Sequence, residues 1–218
     1  MHDNKAQHLL ILGASGMVGS QLLKAALANP QVAAITAPTR RPLSAHPRLN
    51  NPVLDFNDLP ADASWWQADA VLCALGTTLK QAGSKQAFRQ VDHDLVLSCA
   101  QLAKSAGTPT WVFNSSLGAN PRAGSFYLRT KGETEQELGL MGFTSLTCVR
   151  PALLDAGKRP EPRPLEELGL AASKLFRPLI PARYQPISTT LVARCMLEVG
   201  LTPVAGISLI ESEEIALY

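Results

Sequence analysis

The 218-residue chain has the length of one large domain, and with 46% hydrophobic and 17% charged residues it can bury a substantial core. A net charge of +2 and an isoelectric point near 8.4 exclude the strongly basic face of a nucleic-acid binder. The first apolar run, Leu9–Leu12, is too short for a membrane span or a signal core.

Leu9–Leu12 reads as a short buried strand, followed by Gly13, Gly16 and Gly19 at even spacing and a helical pattern from Ser20 to Ala28 that stops at Asn29-Pro30. "QVAAIT" (31–36) is a second strand leading into "APTRRPL", and "PVLDF" (52–56) a third. "DAVLCALGTT" (69–78) is a fourth, closed by Gly76. A helical stretch from Lys85 to Ala106 presents Phe88, Val91, Leu95 and Cys99 on one face, with Gly107 as its cap. "TWVFNSS" (110–116) is a fifth strand, a helix bearing Tyr127 follows, and "SLTCVRP" (145–151) is a sixth. Seven of the sixteen prolines fall in 151–188, which predicts a loop-rich cap over the sheet's carboxyl edge. A helix (Thr189–Gly200) and a strand (Gly206–Ile210) return to the core.

Strands that alternate with helices, and that are apolar without in/out alternation, predict a doubly wound parallel α/β sheet covered on both faces. The expected organisation is a single Rossmann domain over 1–218, with 151–188 as the cap. Cys73, Cys99, Cys148 and Cys195 include no Cys-x-x-Cys pair, and His2, His8, His46 and His93 show no ligand spacing. These features predict reduced thiols, a cytoplasmic location and no metal site.

Gly13-x-x-Gly16-x-x-Gly19, between a strand and a helix, has the pattern of a phosphate-binding turn. The first glycine permits the turn, the second admits a phosphate to the backbone, and the third lets the helix pack on its strand. The helix N-terminus supplies free N–H groups for a pyrophosphate. At the end of the second strand stand Arg40 and Arg41, where an NAD site usually carries an acidic residue. Two guanidiniums suit a 2′-phosphate, so NADP(H) is favoured over NAD(H). Asp55 is positioned to face the adenine edge, and Gly76 to let backbone pass close to the cofactor. Tyr127 and Lys131 share a helix face at a separation of four. A close ammonium favours phenolate, and a serine at the neighbouring strand end can bond the substrate oxygen. Together these make a proton donor beside a hydride carrier.

The stretches "LGASGMVG", "TRRPL", "CALGTT", "AFRQVD", "SSLGAN", "FYLRTKGETE", "RPALL" and "RPEPRP" occur in order. In them the chain resembles the atypical short-chain dehydrogenase/reductases of the extended, epimerase-like group, and within it the Tat-interacting-protein oxidoreductase subgroup and its bacterial relatives. The resemblance implies a Rossmann fold and NADPH binding. It places the phosphate loop on Ser15, Gly16, Met17 and Val18, the 2′-phosphate on Arg40 and Arg41, and cofactor contacts on Leu75, Gly76, Leu154 and Arg163. Tyr127 becomes the proton donor and Lys131 its partner. A serine pair stands where one marked serine is usual, and position relative to the strand end favours Ser116, with Ser115 second. Extended enzymes usually carry Asn at the position of Asp92, and only 68 residues follow Arg150, which argues against sugar-nucleotide chemistry.

The expectation is an NADPH-dependent oxidoreductase acting on a small-molecule carbonyl. An NADPH-binding regulatory protein without turnover is the first alternative, and a sugar-nucleotide epimerase or dehydratase using NAD the second. Monomer and homodimer both stay open.

Overall fold

The computed structural model describes residues 6–155 and 181–218. Strands β1 (Gln7–Leu12), β2 (Val32–Thr36), β3 (Leu49–Asn50), β4 (Ala70–Cys73), β5 (Thr110–Asn114), β6 (Ser145–Arg150) and β9 (Gly206–Glu211) form one seven-stranded sheet in the order β3-β2-β1-β4-β5-β6-β9. Every pairing in it is parallel. The chain therefore crosses over between strands, and helices cover both faces. Successive residues of each strand serve opposite faces. Leu9, Ile11, Leu72 and Val112 pack under helices α1 (Met17–Ala28) and α6 (Thr189–Leu201). Leu10, Val71, Trp111 and Phe113 pack on the other face, under α4 (Leu95–Ser105) and α5 (Phe126–Leu140). Two cores explain why the strands read as unbroken apolar runs.

The strand order reverses between β1 and β4, where Leu9–Leu12 run in register with Ala70–Cys73. Diverging crossovers leave a crevice there at the carboxyl edge, which in open α/β sheets is where ligands bind. Into this edge open the loops after β1, β2, β4 and β5.

Three local expectations are corrected. The third strand is Leu49–Asn50 and not 52–56, where Val53 makes a single bridge to Thr39. Leu49 can pair at that point because Arg48 donates to the carbonyls of Leu27, Asn29 (3.0 Å) and Val32 (2.6 Å), which ties the segment to the end of α1 and the start of β2. The second correction is to the 85–106 helix. It is divided into α3 (Lys85–Arg89), a π turn (Gln90–Asp94) and α4. The wider turn rotates the helix, so Asp92, His93 and Val96 are buried where Val91 and Leu95 were expected. Thirdly, α1 starts at Met17, three residues earlier than the periodicity indicated.

The remaining described elements are short: α2 (Leu79–Ala82), α7 (Ser212–Ile215), 3-10 turns at Ser64–Trp66 and Ala182–Tyr184, and a two-stranded parallel pair, β7 (Leu154–Asp155) with β8 (Ile187–Ser188). Of the expected cap, 151–155 and 181–188 are described, and 156–180 lie outside the described residues.

Candidate active site

The turn after β1 fits its helix because two of its positions have no side chain. Gly13 has φ +82, and a Cβ there would lie 2.6 Å from the Ala74 carbonyl oxygen on the neighbouring strand's exit loop. A Cβ on Gly19 would lie 2.0 Å from the Gly13 oxygen, so α1 sits directly on the turn. Gly16 is the N-cap, its N–H bonds the Gly13 carbonyl at 2.9 Å, and no side chain caps the helix. The first turn of α1 thus faces the crevice without a side-chain cap, with the positive end of the helix dipole behind it. Ser15, Gly16 and Met17 are exposed at this mouth, whereas Val18 and Gly19 are buried beneath it and support the turn by packing.

Arg40 and Arg41 project from the loop after β2. Both are exposed, and neither guanidinium has an ion-pair or hydrogen-bond partner among the described residues. The loop itself is fastened. The Asn51 amide donates to the Ala37 carbonyl (2.6 Å) and to Thr39 Oγ1 (2.8 Å), and its oxygen accepts the Leu43 N–H (2.8 Å). One side chain thus grips both arms of the arginine turn. Arg40 and Asp55 line a common open depression with Val53 and Leu54. Asp55 stands in a turn and not at a strand end, where its Oδ1 accepts the Asn57 backbone N–H (3.0 Å) and side-chain amide (2.9 Å).

Helix α5 carries Tyr127 and Lys131. Tyr127, in its first turn, is half-buried against the Phe88 ring, with centroids 5.5 Å apart. Lys131, one turn on, is 3% exposed. Its ammonium lies 2.9 Å from Asp92 Oδ1, 3.4 Å from the Asn114 carbonyl and 4.8 Å from the Phe113 ring centroid. Burial pulls the Lys131 pKa down, but the charges of Asp92 and then Tyr127 outweigh it and leave the pKa above the ordinary lysine value. Gly76 is adjacent: a Cβ there would be 3.2 Å from Asp92 Oδ1 and 3.7 Å from Lys131 Nζ. Leu75, before it, is half-buried against the α4/α5 core.

At the end of β5, Ser115 is buried and Ser116 half-buried. Ser115 Oγ and Asn114 Oδ1 are buried atoms with no hydrogen-bond partner among the described residues. Leaving such atoms unpaired is costly in a folded protein, so they fit a polar ligand lodged beside them. With the glycine cradle and the uncapped helix, this is the donor and acceptor set that a dinucleotide needs. Leu154 is half-buried in β7 against the α1/α6 core, and Arg163 lies outside the described residues.

Two participants were not legible as site residues. Asp92 stood out only as a departure from Asn, and its burial depends on the π turn. Asn51 carried no motif; an amide just before a strand-like segment was the only available signal.

A Rossmann domain with a dinucleotide crevice is the class of protein that this sheet and site define. The chain belongs to the NAD(P)H-binding family, whose profile matches residues 13–199. It is 36% identical over 223 residues to Protein HTATIP2 of Rattus norvegicus, spanning 98% of this chain and 90% of that protein. Over 161 residues it is 37% identical to Protein FMP52, mitochondrial, of Candida albicans, spanning 69% of this chain and 68% of that protein. The fold is shared with MoeE5, solved with UDP-glucuronic acid and NAD (TM-score 0.70, 19% identity, 93% of this chain and 75% of that one). It is shared also with the oxidoreductase ylbE of Lactococcus lactis (TM-score 0.67, 15% identity, 96% and 95%). The family resemblance drawn from the motifs is thus correct.

The expected cytoplasmic location is overturned, because the fungal relatives are mitochondrial proteins by name. Reduced thiols and a short first apolar run do not distinguish the cytosol from another reducing compartment. Among the described residues no helix is long and apolar enough to cross a membrane.

Proposed function

We propose that the protein is an NADPH-dependent reductase of a small-molecule carbonyl. The observation that carries this reading is the buried Lys131 ammonium, one turn from Tyr127 and beside Gly76, at the edge where the strand order reverses. When bound, the dinucleotide supplies the hydride. The N-terminal turn of α1 holds its pyrophosphate, and Arg40 and Arg41 hold the 2′-phosphate. Lys131 orients the ribose and presents positive charge to Tyr127. Tyr127 donates its phenolic proton to the carbonyl oxygen, which Ser116 or Ser115 orients by a hydrogen bond. The half-exposed Ser116 suits contact with an entering substrate, and the unpartnered hydroxyl of Ser115 suits the cofactor side.

A second reading is an NADPH-binding regulatory protein. Its support is the Asp92 carboxylate, which neutralises the very ammonium that turnover would use. Fluorescence titration with NADPH and NADH, followed by a turnover screen over aldehydes, ketones and quinones, separates the two. Exchangeable NADPH oxidised by a carbonyl supports the reductase. NADPH bound without oxidation supports the regulator, and tightly retained NAD would sink both. In Arg40→Ala/Arg41→Ala, NADPH is expected to weaken by about 1.5–3 kcal/mol per lost charge-assisted contact while NADH is spared. Equal losses for both cofactors would remove the 2′-phosphate assignment.

A further inference from the structure

Outside the dinucleotide crevice, five ionisable side chains meet where the π turn packs on α5: Arg89, His93 and Asp94 on one side, Glu133 and Glu137 on the other. The turn buries the His93 ring among them, at 5% exposure. Nδ1 lies 2.7 Å from Asp94 Oδ1. Nε2 has two neighbours of opposite kind, Glu137 Oε1 at 3.0 Å and Arg89 Nη2 at 3.2 Å. Arg89 is held at the same time by Glu133, through Nη1.

An ionised carboxylate only accepts hydrogen bonds and a guanidinium only donates them. Nε2 can therefore satisfy one of its two neighbours at a time. With a proton it donates to Glu137 and meets a second donor in Arg89. Without one it accepts from Arg89 and faces the Glu137 oxygen with no hydrogen between them. Nδ1 has only an acceptor beside it, Asp94, and keeps its proton in both states. We propose that His93 is a proton-operated clasp between the π turn and α5: the charged ring bonds Glu137, and the neutral ring releases Glu137 and bonds Arg89. Histidine is the side chain that changes charge between pH 5 and 8, so the Glu137 attachment is complete in acid and is lost as pH rises through that range. Glu137 is itself exposed, on the carboxyl-terminal half of α5, and that half is what the neutral ring sets free. The other charged groups nearby do not compete for the ring. Glu133 is engaged by Arg89, and Asp92 turns its carboxylate away, to Lys131 at 2.9 Å. Helix α4, packed against the same turn, carries one charged residue, Lys104, which bonds the Gly142 carbonyl at the far end of the helix. The clasp does not depend on the reductase reading of the crevice.

The test uses the full chain with ring-¹⁵N histidine, His93→Gln serving only to assign the His93 signals. At about pH 5.5 both ring nitrogens are expected to carry protons, and at about pH 8.5 Nδ1 alone, with Nε2 bare. Amide hydrogen exchange reads the consequence. After correction for the intrinsic rate, the amides of Gln136–Met141 in the unaltered chain are expected to lose about threefold to tenfold in protection between the two pH values, the loss of a charge-assisted bond to an exposed partner. In Glu137→Gln the side-chain amide can accept from the charged ring or donate to the neutral one, so protection there should be the same at both pH values. A proton that stays on Nε2 at the higher pH overturns the proposal, as does a ring in one state throughout. So does a loss of protection equal in Glu137→Gln and the unaltered chain. The ring signals come from the unaltered chain, so they decide the partner exchange even where the variant does not fold.

Discussion

At the scale of single residues, the proposed reaction assigns proton transfer to Tyr127 and leaves the surrounding groups to hold it in place. Tyr127 packs on Phe88 through its ring and has no hydroxyl partner among the described residues, so removing the oxygen disturbs little else. Tyr127→Phe is expected to keep the fold and bind NADPH normally, while turnover falls by about 10²–10⁴, the usual contribution of a positioned acid–base group. Lys131→Met removes a charge and strands Asp92 in the interior, so turnover, NADPH affinity and stability should all fall. Cofactor titration, single-turnover oxidation and thermal melts read the pair. Normal turnover by Tyr127→Phe with NADPH still bound would pass the lead to the regulatory reading. Asn51 acts at one remove, because its three hydrogen bonds shape the loop from which Arg40 and Arg41 project. Asn51→Ala should therefore weaken NADPH more than NADH, with little effect on turnover once the cofactor saturates.

At the scale of elements, α5 is held in place from both sides. The π turn and Thr134 fix one side. On the other, the loop after β5 crosses so closely that a Cβ on Gly132 would lie 2.2 Å from the Asn120 carbonyl carbon. That overlap is with backbone, which cannot swing aside as a side chain can. Gly132→Ala is expected to cost about 1–3 kcal/mol by overpacking, read as a lower urea midpoint at unchanged slope. Because the shift separates α5 from the strand end that bears Ser115 and Ser116, turnover should fall more than NADPH binding. A variant as stable as the unaltered chain would show that the loop yields. Arg150 completes the attachment of α5 to the sheet. Its guanidinium bonds Glu135 (3.0 and 2.5 Å) and Glu211 (2.9 Å), joining α5, β6 and β9.

At the scale of the whole molecule, the two cores hold all four cysteines as free buried thiols. Burial raises each of them: Cys73 and Cys195 from the ordinary 9.0 to about 12, and Cys99 and Cys148 further in the same direction. A thiol raised in this way keeps its proton in the folded state after the unfolded chain has lost it. Its contribution is present in full below pH 9 and is lost as pH climbs toward the folded value, at about 1.4 kcal/mol per pH unit for each thiol. The Lys131 ammonium, also raised, adds a loss of the same sign at still higher pH. Urea denaturation should therefore show stability falling steeply above pH 9, with the slope reduced in Cys99→Ala. A flat profile from pH 8 to 10.5 would contradict the burial of these groups.

The sequence by itself determined the doubly wound sheet, the glycine turn and the helix bearing Tyr127 and Lys131. Each of these is written in local period and spacing: apolar runs long enough for one strand, glycines where a Cβ has no room, two side chains a single helical turn apart. What the tertiary structure alone decided depends on contacts between distant segments. The third strand moved to Leu49 because Arg48 reaches back to carbonyls at the end of α1 and the start of β2, 16 to 21 residues away. Asp92 entered the site because one π turn shifted the helix phase, bringing its carboxylate to a lysine 39 positions on. Helical periodicity assumes a uniform turn, so no pattern along the chain announces where a wider one will be stabilised by what packs against it.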